Sequence, residues 1–435
     1  MNKTVRVIGA GLAGCEAAYQ LAKRGIEVEL YEMKPIKFSP AHSSENFAEI
    51  VCSNSFKSDD LTTASGCLKA EMRELDSLIL KCAEKVKVPA GSALAVDREK
   101  FSEMVTSEIK KLKNVKIIRE EVKEIDLSIP TIIATGPLTS DELSNSLMGL
   151  LGENNLHFYD ASAPIVDGET LDKSKTFTAG RYGKGESDYI NCPMTKDEYY
   201  AFVNELVSAE KVELHDFEKK EIFDGCMPVE VMASRGIDTL RYGPLRPVGL
   251  KLDDGTRPFA VVQLRRESTE NNLFNIVGFQ TNLKYGEQKR VFSMIPALAH
   301  ADFVKYGVMH RNSFVCAPKH LNCDFSLKNN PNIFIAGQLS GVEGYMESTA
   351  SGLVAGIALA GKILGKTLAI IPKTTIIGAI TNYITTASAD NFQPMNANFG
   401  ILPSLDVKIK DKSLKKQAYS KRAISDMKKF KESLW

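Results

Sequence analysis

The 435-residue chain carries 55 Lys and Arg against 54 Asp and Glu, with 43% hydrophobic and 25% charged residues. That balance excludes a disordered or strongly polyionic chain and leaves room for two domains, or one large domain with an insertion. No charged-then-apolar leader opens the chain, Lys362 and Lys366 interrupt the apolar stretch at 352–371, and eight cysteines form no CxxC; we expect no membrane span and reduced thiols in the cytoplasm.

Residues 4–8 are short, β-branched and apolar, the pattern of a buried strand. Gly9, Ala10, Gly11, Leu12, Ala13 and Gly14 follow, and a helix is expected from Cys15 to Lys23, ended by Gly25. Gly9 permits a tight turn, Gly11 lets the backbone approach a pyrophosphate, and Gly14 allows close helix–strand packing. The first helical amides then face the phosphates. A second strand over 27–32 brings Glu32, 23 residues after Gly9, to where a carboxylate holds ribose hydroxyls. Residues 34–63 are polar and irregular around Cys52. Leu68, Met72, Leu75, Leu78, Ile79 and Cys82 recur at helical spacing and predict one helix over 64–86. A strand at 91–96, an Asp97-capped helix over 98–113, and strands at 115–122 and 131–134 follow. Thr135 and Gly136 close the last strand.

Beyond about residue 145 the pattern changes to short strands at 157–161 and 163–166, a helix over 197–212, and antiparallel strands at 258–264 and 273–279. This is an α+β insertion. The expected division is 1–145 and 305–435 for a Rossmann-like α/β dinucleotide domain in two parts, with 146–304 inserted. After it, 332–337 reads as a strand ending in Gly337, next to Gln338. Gly341, Gly344, Gly352 and Gly356 lead into a buried helix in the apolar stretch. From Lys408 to Trp435, ten basic residues face three acidic ones, so that segment is +7. Such a run is either a solvated helix face or a patch for polyanions.

Two cysteines stand out, Cys52 in a polar loop and Cys226 before Met227 and Pro228. Either could be a small buried hydrophobe or a covalent catalyst. Lys57 lies five residues after Cys52, so a CxxxxC dithiol shuttle is disfavoured. Arg235, Arg241, Arg246, Lys251, Arg257, Arg265 and Arg266 interleave with aromatics, fitting either an RNA surface or a two-faced sheet. His310 is either structural or a ring that stacks on a flat heterocycle. No cluster has metal spacing, so no metal is expected.

Several stretches resemble the folate- and FAD-dependent tRNA (uracil-5-)-methyltransferases, relatives of the flavoproteins that modify the wobble uridine. They include 7–14, 31–33, 49–55, 93–98, 189–194, 225–230, 241–250, 262–265, 306–312, 337–348 and 391–400. The resemblance implies a two-dinucleotide-binding FAD domain, with Gly9, Ala10, Gly11, Leu12, Ala13, Gly14, Glu32, Gly136, Gly337 and Gln338 on the cofactor. It implies 5,10-methylenetetrahydrofolate as carbon donor, NAD(P)H as reductant, and a T-loop uridine of tRNA as acceptor. By the same resemblance Cys226 adds to the uracil and Cys52 assists on the flavin side, roles that could be exchanged, while His310 meets the folate. The competing readings are the same chemistry on ribosomal RNA, a flavin oxidoreductase of a small metabolite, and a non-enzymatic RNA-binding protein that keeps FAD structurally.

Overall fold

The computed structural model describes residues 4–435 apart from 153–155, 162, 184–188, 213–226, 253, 267–271, 308, 367–369, 390, 391 and 393, and apart from the side chains of 156–161, 183 and 309–312. Five parallel strands form the central sheet, in the order Ile333–Ile335, Thr131–Ile133, Thr4–Ile8, Glu27–Tyr31, Val115–Ile118. The register sets Ile8 beside both Tyr31 and Ile133, and Ile133 beside Ile335. The carboxyl ends of these strands therefore share one edge, where an open α/β sheet receives its ligand.

Two helices of small residues, Leu12–Ala22 and Tyr345–Ile363, pack on each other over this sheet. A Cβ at Gly352 would stand 2.1 Å from the Ala13 carbonyl oxygen, and one at Gly356 2.9 Å from that of Ala17. The apolar stretch expected to begin its helix near 352 is thus helical from Tyr345 and ends at Ile363. Its glycines serve backbone contact inside the helix rather than a turn before it.

The helix expected over 64–86 is instead two, Ala64–Glu74 and Leu78–Lys85. Asp76 is left-handed, with φ 65°, and pairs with Lys23 and Lys81. Ser77 caps the second helix. Buried Glu16 accepts from Ser77 Oγ at 2.7 Å, Ile79 N at 3.1 Å and Leu78 N at 3.3 Å. The apolar periodicity runs through the break, because both helices face the same core.

A second sheet has six antiparallel-paired strands, all from residues 165–305: Phe177–Thr178, Tyr189–Met194, Ala260–Arg266, Leu273–Ile276, Ile165–Asp167 and Phe303–Lys305. Its own core gathers Cys192, Met194, Tyr199, Phe202, Phe279 and Phe292. Leu156–Ala161 and Met309–Phe314 pair antiparallel as a ribbon leading out to this sheet and back. The chain closes with helix Lys412–Glu432, which buries Tyr419, Ala423, Met427 and Phe430. Three of its lysines are in ion pairs, Lys428 and Lys431 with Glu74 and Lys429 with Asp426. Among the described residues no helix is long and apolar enough to cross a membrane, and no cluster of His, Cys, Asp or Glu could hold a metal.

Glu71 gives the fold a pH-dependent joint. Its carboxylate accepts from Ile376 N at 2.7 Å and Ile377 N at 2.9 Å, at the start of helix Ile376–Thr386. Burial pushes it up to about 7 against the pull of those two amides. A raised carboxyl holds its proton better when folded, so its contribution is full below about pH 4.5 and is lost as pH rises towards 7. We predict that the unfolding free energy of the native protein, relative to Glu71→Gln, falls by on the order of 3 kcal/mol across that window. Denaturant titrations of both at several pH values check it, and parallel profiles would refute it.

Candidate active site

A cavity of about 530 Å³ opens at the carboxyl edge of the parallel sheet. Each strand end contributes to its wall: Gly9 to Ala13 after the first, Glu32 after the second, Thr135 and Gly136, and Gly337 and Gln338. Gly9 has φ 97°, and a Cβ there would lie 2.6 Å from the Ala134 oxygen. At Gly14 a Cβ would lie 1.8 Å from the Gly9 oxygen. Both glycines are required by the protein's own packing. Gly11 is different, because a Cβ there meets no protein atom within 4 Å and would project into open space beside the cavity.

Gly11 also precedes helix Leu12–Ala22 without any side-chain cap. The first amides of that helix are left for a ligand, the usual arrangement for an anion. Glu32, 8% exposed, accepts from Ala10 N at 3.1 Å and Lys34 N at 3.0 Å, so it braces the glycine turn while lining the cavity. Gly337, close to Ala13, has φ 76° and donates its amide to Ser351 Oγ at 2.7 Å, while Gln338 Nε2 donates to Glu343 at 2.6 Å. The cradle, the uncapped helix and the acid together fit a dinucleotide such as FAD.

Cys52 lines the same cavity as a half-buried thiol that is in no disulfide. Its loop is wound around one hydroxyl, that of Tyr345, the first residue of its helix. Tyr345 Oη accepts from Cys52 N at 2.9 Å and Val51 N at 3.1 Å, and lies 2.8 Å from Cys52 Sγ. Burial, with the nearby sulfur adding to it, pushes the phenol well above its ordinary value. Tyr345 therefore keeps its proton, and with its lone pairs taken by amides it directs that proton to sulfur. Four other cysteines have a different setting. Burial pushes Cys82 and Cys192 up to about 12 and raises Cys15 and Cys67 as well, which keeps them inert.

The antiparallel sheet reaches this loop through Arg265, 6% exposed. Arg265 Nε donates to Asn54 Oδ1 at 2.7 Å and Nη2 to Ser53 Oγ at 2.8 Å. Asn54 Nδ2 returns a bond to the Arg266 carbonyl at 2.9 Å. Arg98 holds the other side through the Val51 carbonyl at 2.9 Å. Sequence reasoning counted Arg265 only among basic residues and gave Tyr345 no role. A tyrosine 293 positions from the cysteine it holds leaves no local pattern to read. Cys226 lies outside the described residues. His310 pairs through its backbone with Asp160 on the ribbon, and its side chain lies outside the description.

Two glycine substitutions separate cradle from scaffold. Gly14→Ala should lower stability by several kcal/mol, on the order of other overpacked sites. Gly11→Val should fold with an unchanged melting temperature in its cofactor-free state yet purify colourless. Flavin absorbance and thermal unfolding of the two proteins check this, and a yellow Gly11→Val protein would sink the assignment.

Residues 4–367 match the glucose inhibited division protein A family. The chain is 57% identical over 427 residues to the methylenetetrahydrofolate–tRNA-(uracil-5-)-methyltransferase TrmFO of Acetivibrio thermocellus, spanning 98% of both chains. It is 54% identical over 433 residues to the protein of that name from Lactobacillus gasseri, spanning 99% of both. Aquifex aeolicus GidA in its form II crystal superposes with a TM-score of 0.73 at 17% identity, over 99% of this chain and 73% of that one, a likeness of fold. This chain belongs to the TrmFO family, within the wider glucose inhibited division protein A family.

Proposed function

We propose that this chain transfers the one-carbon unit of 5,10-methylenetetrahydrofolate to carbon 5 of a uridine in tRNA, giving 5-methyluridine, with FAD in the cavity and NAD(P)H as electron source. The observation that carries this reading is the near full-length identity of 57% to a relative bearing that name. The glycine cradle and the Cys52 thiol in the cavity wall support it. When bound, FAD supplies the two-electron reduction that turns a transferred methylene into a methyl group.

The chain's own residues answer for the rest. Uracil carbon 5 is a poor nucleophile until a thiolate adds to carbon 6 and makes the ring an enolate. We assign that addition to Cys226. The described chain resumes at Met227, and Val229 N donates to the carbonyl of Gln280, a cavity-lining residue, at 2.7 Å. Cys52 is the partner thiol. Removal of the carbon 5 proton lets the carbon 6–sulfur bond break, and a sulfur already held by the Tyr345 hydroxyl is suited to trade protons there. Gly9, Ala10, Gly11, Leu12, Ala13, Gly14, Glu32, Gly136, Gly337 and Gln338 are assigned to the dinucleotide, and His310 to the folate. The target base has to leave its stack to reach the cavity.

Mass spectrometry of tRNA from cells lacking the gene tests the function: 5-methyluridine should disappear from tRNA, and its persistence at full level would refute the proposal. Cys226→Ala should lose methylation by at least three orders of magnitude and stay yellow. A tRNA containing 5-fluorouridine should form a covalent adduct, seen as a band that resists denaturation. Trapping that survives loss of both Cys52 and Cys226 would overturn the covalent route.

A further inference from the structure

An exposed tyrosine in the turn between two strands of the antiparallel sheet is held in a strained conformation beside two guanidiniums that have no ion-pair partner among the described residues. Tyr182 has φ 59° and ψ 28°, a left-handed geometry that disfavours any residue with a Cβ. It is nevertheless 63% exposed, so burial does not explain it. Its neighbours fix the ring from one side. The Tyr182 amide donates to the Gly249 carbonyl at 3.1 Å, and a Cβ on Gly249 would come within 3.1 Å of the ring. Arg246 donates to the phenolic oxygen. Arg181 donates to the Val248 carbonyl at 2.9 Å and to Gln263 Oε1 at 2.9 Å. Among the described residues neither Arg181 nor Arg246 has a carboxylate in ion-pair range, and burial together with Arg246 lowers the pKa of Arg181.

The position of this cluster is informative. Gln263 and Arg265 share strand Ala260–Arg266 two residues apart, hence on one face and roughly 7 Å from each other. Arg265 is cavity wall and holds the Cys52 loop. Tyr182 follows Arg181 directly, and Arg181 reaches the strand that carries the cavity-lining Arg265 through Gln263. A flat exposed ring, flanked by two cations with no ion-pair partner among the described residues, matches a nucleobase and its phosphate. We propose that Tyr182, with Arg181 and Arg246, is a stacking platform for an unpaired nucleotide adjacent to the target uridine. This rests on the RNA-methylating function above and says how the extruded segment is gripped outside the cavity.

The test uses the full-length flavin-bound protein and a tRNA transcript carrying 2-aminopurine on either side of the target uridine. Three proteins are compared: wild type, Tyr182→Phe and Tyr182→Gly. Glycine suits the backbone angle at 182, so Tyr182→Gly should melt no lower than wild type and retain its flavin. Wild type and Tyr182→Phe should quench the probe equally. Tyr182→Gly should leave it bright and raise the Kd for tRNA about tenfold, the loss expected for one stacked base. Equal quenching and equal Kd in Tyr182→Gly, with methylation by wild type intact, would overturn the platform alone. Absence of methylation in wild type would remove the functional reading on which it stands. An unquenched probe paired with Tyr182-dependent binding of a labelled polyglutamate would instead make this a surface for acidic peptides, and would also overturn the platform.

Discussion

Backbone contact between two helices of small residues is the constraint on which this molecule is built. Helix Leu12–Ala22 and helix Tyr345–Ile363 lie so close that Gly352 touches the Ala13 carbonyl, and Gly14 sits against Gly9. No side chain larger than hydrogen fits at those points. The contact joins segments more than three hundred residues apart and sets the glycine turn beside Gly337, where a Cβ would lie 3.3 Å from that of Ala13, in the wall of one cavity. It also delivers Tyr345, whose hydroxyl gathers the Cys52 loop. Cofactor cradle and thiol are thus positioned by the same packing event.

The antiparallel sheet joins that arrangement through a small polar junction rather than an apolar one. Arg265 donates to Asn54 and Ser53 at the point where the sheet meets the Cys52 loop, and Asn54 donates in turn to the Arg266 carbonyl. A charge-assisted pair in a nearly dry setting is strong and directional. It fixes the distance between the sheet and the cysteine, while Gln263, two residues earlier on the same strand, bonds Asn191 and Arg181.

Local patterns in the sequence were sufficient for the cradle and insufficient for what holds the thiol. The roles of Gly9, Gly11 and Gly14 are read from spacing, because a turn between strand and helix is a local object, and the tight turn at Gly9 and the close packing at Gly14 are both present. The helix over 64–86 was misread because its break is made by Asp76, Ser77 and a carboxylate from another helix, Glu16, none of which disturbs the apolar period. Gly352 and Gly356 looked like punctuation, since only the facing helix reveals why a helix interior lacks side chains there. Tyr345 and Arg265 act on residues 293 and 211 positions away. Contacts of that separation exist only in the folded chain.

The order of strands in the parallel sheet bears on how the protein emerges from the ribosome. Ile333–Ile335 pairs with Thr131–Ile133, and the helix that seals the cavity begins at Tyr345. A nascent chain of about 300 residues therefore holds four of the five strands with an unpaired edge, and a cysteine loop lacking its hydroxyl anchor. The antiparallel sheet, all of whose strands but the last precede residue 277, is free to close first. Synthesis thus finishes the inserted lobe before the domain that encloses it, and a ribosome that stalls in between releases a chain with an open seam.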